Sequence, residues 1–141
     1  MTLLERRAWT MLVTAALAYG WYVTDVLARA GGPAALPDVP YVAALVRSVV
    51  AAVVVNIVVE IVLSMRPGAS RQTDVRDAEI GRFGDHVGQA FVVIGAIAAM
   101  LLAMWERDPF WVANCIYLGF VLSAVVGSLA KVAAYRTGLP W

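Results

Sequence analysis

The chain is poor in the groups that carry most protein chemistry. Its 141 residues include one cysteine, Cys115, and one histidine, His86. A lone cysteine excludes an internal disulfide, a Cys-x-x-Cys redox pair and a thiolate zinc site within one chain. It also counts against four-helix quinone-linked thiol oxidases, which need cysteine pairs. A lone histidine cannot supply two axial haem ligands or a histidine-rich metal site. No segment carries a catalytic signature, so no catalytic residue, cofactor or metal is expected. Charge is scarce too: 15% of residues are Asp, Glu, Lys or Arg, against about a quarter in a soluble domain. The 11 basic and 10 acidic residues leave a net charge of +1, so no field of one sign argues for nucleic acid.

What is abundant is apolar. Hydrophobic residues make up 62% of the chain, and the mean hydropathy is +0.77. The excess falls in blocks that predict helices over 8–28, 41–65, 74–105 and 110–136. Each apolar stretch is long enough, at about 1.5 Å per helical residue, to cross a hydrocarbon core of about 30 Å. Backbone groups inside lipid must bond within their own segment, and the runs lack the alternation of a membrane barrel. The expected fold is all-α, an integral membrane four-helix bundle forming a single domain over 1–141. Glu5-Arg6-Arg7, an apolar run and Ala28-Arg29-Ala30 imitate a signal peptide. The run exceeds the usual apolar region of about 7–15 residues, which predicts an uncleaved first helix.

Basic residues predict the orientation. Arg6 and Arg7 precede the first helix, Arg66, Arg71, Arg76 and Arg82 fill the segment 66–86, and Lys131 and Arg136 close the fourth helix. Arg29, Arg47 and Arg107 belong to the other side. This excess places both termini and the loop 66–86 in the cytoplasm and disfavours a dual-topology protein. Trp21, Tyr22, Tyr41, Trp105, Phe110 and Trp111 are expected in an outer aromatic belt, with Trp9 and Tyr135 at the inner surface. The outer connection Ala30 to Pro40 reads as irregular and turn-rich, and Glu106 to Pro109 as a tight one. Pro67-Gly68 is expected to end the second helix. Thr73 or Asp74 is expected to cap a cytoplasmic helical extension of the third. A weak internal repeat pairs Pro40-Tyr41-Val42-Ala43 with Pro109-Phe110-Trp111-Val112-Ala113, and Arg66-Pro67-Gly68 with Arg136-Thr137-Gly138. Two crossings per half would make it a parallel 2+2 duplication.

Asn56, Glu60 and Ser64 are spaced by four and share one face of the second helix. Glu60 and Lys131 lie at similar depth, and a lone charge at mid-membrane costs about 2.5–3.5 kcal/mol. A Glu60–Lys131 pair is therefore expected, either as an ion or proton site or as a brace between helices two and four. Asn114, Tyr117, Ser128 and Tyr135 form a polar face on helix four with Lys131, suited to lining a cavity or to bonding neighbouring helices. Gly119, Ser123 and Gly127, and on helix three Gly84, Gly88, Gly95, Ala99 and Ala103, form two small-residue seams for packing within or between chains. Asp25 is a candidate partner for Arg47. His86, beside Asp85, reads as a boundary residue. Asp74, Arg76, Asp77 and Glu79 offer either self-contained salt bridges or a docking surface.

Asp74-x-Arg76-Asp77-x-Glu79-Ile80 resembles the "D-E-R-D" loop of small four-helix membrane proteins of actinobacteria. So do Phe110-Trp111-x-Ala113-Asn114-x-x-Tyr117-Leu118 and Lys131-x-x-x-Tyr135-Arg136-x-Gly138. The resemblance covers most of the chain and departs at Val75, where the loop usually has Glu. It implies the cytoplasmic membrane of a bacterium. The family is similar to others encoded beside small helix-turn-helix regulators, which hints at regulation. The reading that follows is a non-enzymatic sensing or interaction module acting through its cytoplasmic loop. Its expected partners are the lipid bilayer, a cytoplasmic protein and further copies in a homodimer or higher oligomer. The alternative is a small oligomeric transporter or channel using Glu60, Asn56 and Lys131. A membrane enzyme of the glutathione-dependent four-helix type would need arginine-rich polar helices, where helix two offers only Asn56 and Glu60.

The orientation is testable with membrane-impermeant maleimide. Ser70→Cys should react only from the cytoplasmic side and Arg107→Cys only from the opposite side. Labelling of both from one side overturns the assignment.

Overall fold

A computed structural model describes residues 2–65 and 74–140 of the chain. The expectations at Arg66-Pro67-Gly68 and Thr73 lie outside those residues. The element order is α1 (Leu3–Ala30), a 3-10 turn η1 (Pro33–Asp38), α2 (Val42–Ser64), α3 (Val75–Met104) and α4 (Pro109–Thr137). Among the described residues there is no strand, and all four α-helices are long and apolar enough to cross a membrane.

Local chemistry sets the ends. α1 begins five residues before the expected position 8, because extended Thr2 accepts the Glu5 amide on its hydroxyl at 3.2 Å and so caps the helix. It stops at Gly31, whose φ of 64° is a left-handed conformation open to glycine. The connection after it is more regular than its prolines suggested: η1 packs back against α1 and α4. α3 follows extended Asp74, as expected of the cap position, although the Asp74 side chain makes no capping bond. At 30 residues it runs about 45 Å, longer than the hydrocarbon core. Its first turns carry Arg76, Asp77, Glu79 and Arg82 ahead of the apolar stretch. α4 starts on Pro109, where a missing N–H costs nothing.

The helices pack in the order α2, α1, α4, α3, and α2 and α3 share no packed face. The tightest pair is α3 with α4. A Cβ built on Gly95 would lie 2.9 Å from the Gly119 Cα, and one on Gly88 would lie 2.8 Å from the Ser123 carbonyl oxygen. A Cβ on Gly127 would come within 2.9 Å of the Gly84 carbonyl oxygen. The two small-residue seams therefore mesh with one another inside the chain, bringing backbone against backbone. Ala99 is buried in α3, while Ala103 is exposed and outside the seam.

α1 and α4 meet around an aromatic knot at the end carrying η1. Tyr19, Tyr22 and Tyr117 have ring centroids 5.3 to 6.3 Å apart, two of the three pairs edge-to-face. Tyr41 and Phe110 stack edge-on nearby at 5.0 Å. This corrects part of the expected belt: Tyr22 is 1% exposed and Phe110 5%, so both are core, whereas Trp21, Trp105 and Trp111 remain outside. The Tyr22 hydroxyl explains the burial, since it donates to Asn114 Oδ1 at 2.7 Å. At the opposite end Arg136 lies over the Trp9 ring, 6.0 Å from its centroid.

α2 is the outlier. Ala44, Ser48 and Leu63 are its only buried residues. Its valines and isoleucines face outward, an arrangement that is unfavourable in water and free of that cost in lipid tails.

The seam generates a stability prediction. Gly95→Leu should destabilise the folded protein by about 1–3 kcal/mol through overpacking, while Gly81→Ala, which meets nothing within 4 Å, should have little effect. Thermal unfolding in detergent by circular dichroism compares them; equal midpoints would disprove the seam.

A lateral cleft as the candidate functional site

α2 meets α4 near its own start, where Ser48 Oγ and the Tyr117 hydroxyl share a buried hydrogen bond of 2.9 Å. Past that point a hollow of about 420 Å³ separates the two helices, floored by α1 and lined by Val53, Asn56, Phe120 and Ala124 among others. It adjoins a second hollow of about 410 Å³ between α1 and α2, reaching Arg7, Thr10 and Glu60. It also adjoins a third of about 380 Å³ along α3 and α4, reaching Asp85, Gln89, Ser123 and Lys131. Met11 lines all three. Together they form one cleft that opens sideways where α2 and α3 fail to meet.

The ionisable groups on its walls are paired, though not as the sequence suggested. Glu60 does not reach Lys131. Arg7 Nη2 of α1 donates to Glu60 Oε1, and Lys131 Nζ of α4 donates to Asp85 Oδ1 of α3 at 2.7 Å. The cause is the helix order. α2 leans on α1, so its carboxylate finds the α1 guanidinium first. The Lys131 stem crosses the bare backbone of Gly84, so its ammonium lands on α3. Glu60, Asn56 and Lys131 thus occupy walls of the same cleft without touching. Asn56 is half-buried there and donates to the Ala52 carbonyl of its own helix at 2.8 Å. Ser64 is exposed, bonded to Ile61 O, and lies outside the cleft.

The polar face of α4 is mostly spent on neighbours. Asn114 receives Tyr22, Tyr117 meets Ser48, and the Tyr135 hydroxyl donates to Asp77 Oδ1 at 2.9 Å. Ser128 is buried beside the cleft. Asp77 is thus shared with Tyr135 through Oδ1, while Asp74, Arg76 and Glu79 are exposed. Asp25 pairs with Arg29 at 2.9 Å, and Arg47 donates to Ala43 O at 3.1 Å, so the expected Asp25–Arg47 contact is absent. His86 is exposed.

Three cleft residues escaped the sequence reading of the site: Arg7, Asp85 and Gln89. A signal existed for two of them. Asp85 and Gln89 are one helical turn apart on the glycine-rich face of α3, beside Gly84 and Gly88. Arg7 looked like a topology marker, because its helix begins earlier than its hydropathy suggests.

Four long apolar helices with bare valine faces define a multi-pass, all-helical membrane protein. No family model, curated protein or solved structure matches the chain.

Double-mutant cycles test the pairing. Arg7→Met with Glu60→Gln should show a coupling of about 0.5–1 kcal/mol in unfolding free energy, the upper range for a partly exposed ion pair. Glu60→Gln with Lys131→Met should be additive within about 0.5 kcal/mol. The reverse pattern restores the Glu60–Lys131 pair.

Proposed function

We propose that this protein is a non-enzymatic sensing module, in which a ligand occupies the lateral cleft and the charged start of α3 passes the signal to a cytoplasmic protein. The observation that carries this reading is the Lys131–Asp85 pair. It belongs to the cleft wall, and it sits on the same helix as the exposed Asp74, Arg76 and Glu79, about two to three turns away. The Tyr135–Asp77 bond holds the intervening segment against α4. A ligand that competes for Asp85 or Lys131 changes how the start of α3 is held, which is the differential contact that a switch requires. The basic residues around this end support its placement in the cytoplasm, and the resemblance to D-E-R-D loop proteins agrees with a regulatory role.

A small oligomeric transporter is the second reading, favoured by Glu60, Asn56 and Lys131 facing one cleft. Between α1 and α4 the Tyr19–Tyr22–Tyr117 knot and the Ser48–Tyr117 bond close that cleft, while between α1 and α2 a further hollow of about 410 Å³ reaches Trp21 and Arg47. A conducting path between α1 and α4 would have to break the knot, so this reading ranks second.

Affinity recovery of the full-length protein from its native membrane tests the sensing reading. Arg76→Glu combined with Glu79→Lys should lower partner recovery about tenfold, equivalent to ~1.4 kcal/mol. Ala124→Trp, which fills the cleft, should change recovery by a similar factor with helical content unchanged. Recovery unaffected by both variants overturns the module.

A further inference from the structure

The cleft has a charged mouth and an apolar floor, and this division specifies its ligand. Toward the knot its lining is Met11, Val53, Ile57, Phe120 and Ala124. Toward the basic end it carries one cation and one anion on each side: Arg7 with Glu60, and Lys131 with Asp85. A hollow that is open sideways in a membrane-spanning protein is filled from the bilayer, and the occupant must match both parts, which makes it an amphiphile.

The free valences define the head. A guanidinium has five N–H donors, and Glu60 takes one from Nη2. Arg7 Nε is buried without a hydrogen-bond partner among the described residues. An unpaired buried donor is costly, and the guanidinium fork matches an anionic phosphate oxygen well. Nε itself is enclosed, but the side chain is 37% exposed overall, so its remaining guanidinium hydrogens can meet a phosphate oxygen while Glu60 keeps its own. On the other wall, Asp85 engages Lys131 through Oδ1 while 75% of its side chain stays exposed. Its remaining valences suit an ammonium. A purely anionic head would satisfy Arg7 and face the Asp85 carboxylate, which is far more open than its Lys131 partner at 75% against 23% exposure, and an uncharged head would satisfy neither.

We infer that the cleft binds a zwitterionic phospholipid, with its phosphate on Arg7, its ammonium on Asp85 and an acyl chain along Met11 and Phe120. The inference rests on the sensing reading above and names the ligand sensed.

Native mass spectrometry of the full-length protein, released from nanodiscs holding equal parts phosphatidylethanolamine, phosphatidylglycerol and diacylglycerol, tests it. Phosphatidylethanolamine should be the dominant retained lipid. Arg7→Met should lower its retention about tenfold, as expected for loss of a charge-assisted bond. Asp85→Asn should leave total phospholipid retention intact but remove the preference for phosphatidylethanolamine over phosphatidylglycerol. Ala124→Trp should abolish retention of every lipid, with helical content monitored by circular dichroism as a check on folding. Equal retention of all three lipids by the wild type overturns the inference. So does an indifferent Asp85→Asn, or a lipid-free particle of two chains in which a second copy fills the cleft. If the wild type retains no lipid while Ala124→Trp still alters partner recovery, the ligand class is wrong and the sensing reading survives. If lipid is retained as expected while partner recovery ignores both the α3 charges and the cleft, the sensing reading fails instead.

Discussion

Backbone-to-backbone contact between α3 and α4 is the constraint on which the other features depend. Glycine at positions 84, 88, 95, 119 and 127, with Ser123, removes the side chains that would hold the two helices apart. In lipid no hydrophobic force pulls helices together, so association relies on dispersion and close approach, which small residues permit. α4 then offers its opposite side to α1, and the aromatic knot with its Tyr22–Asn114 bond completes a second firm interface.

α2 is packed against α1 alone, with a single point of contact on α4 and no packed face on α3. It shares one buried bond with α4 at Ser48 and one ion pair with α1 at Arg7, and most of its length is valine and isoleucine turned outward. The contrast between the meshed α3–α4 pair and an α2 that packs on α1 alone creates the cleft. The knot and the Ser48–Tyr117 bond draw α1, α2 and α4 together at one level; beyond it α2 and α3 stand on opposite sides of an opening. The cleft is a consequence of unequal packing strengths along one bundle.

Its chemistry follows from the same geometry. Charges this close to a hydrocarbon core must be paired or wetted. Arg7 and Lys131 each take the nearest carboxylate on the adjacent helix, leaving a buried Nε on one side and an open carboxylate on the other. The Asp85 link also joins the cleft to the charged start of α3. A binding event and its readout can thus share one helix, which is a short route for coupling compared with a path through several packed layers.

Hydropathy along the chain was enough to name the solvent and the elements: apolar runs of this length in lipid have no alternative to helix, so four spans and their approximate limits were legible from composition. The sequence also marked the glycine seams and the residues needing partners, Glu60 and Lys131 among them, because a charge inside a long apolar run is conspicuous. Which partners they took depended on how the helices stand together. Depth along a span is readable at 1.5 Å per residue, but the order in which helices stand side by side is not, since every apolar helix surface is equally content in lipid. Arg7 became the counter-ion of Glu60, and Asp85 that of Lys131, because α2 stands beside α1 and α4 beside α3. Tyr22 left the expected belt for the core because Asn114 was there to receive its hydroxyl.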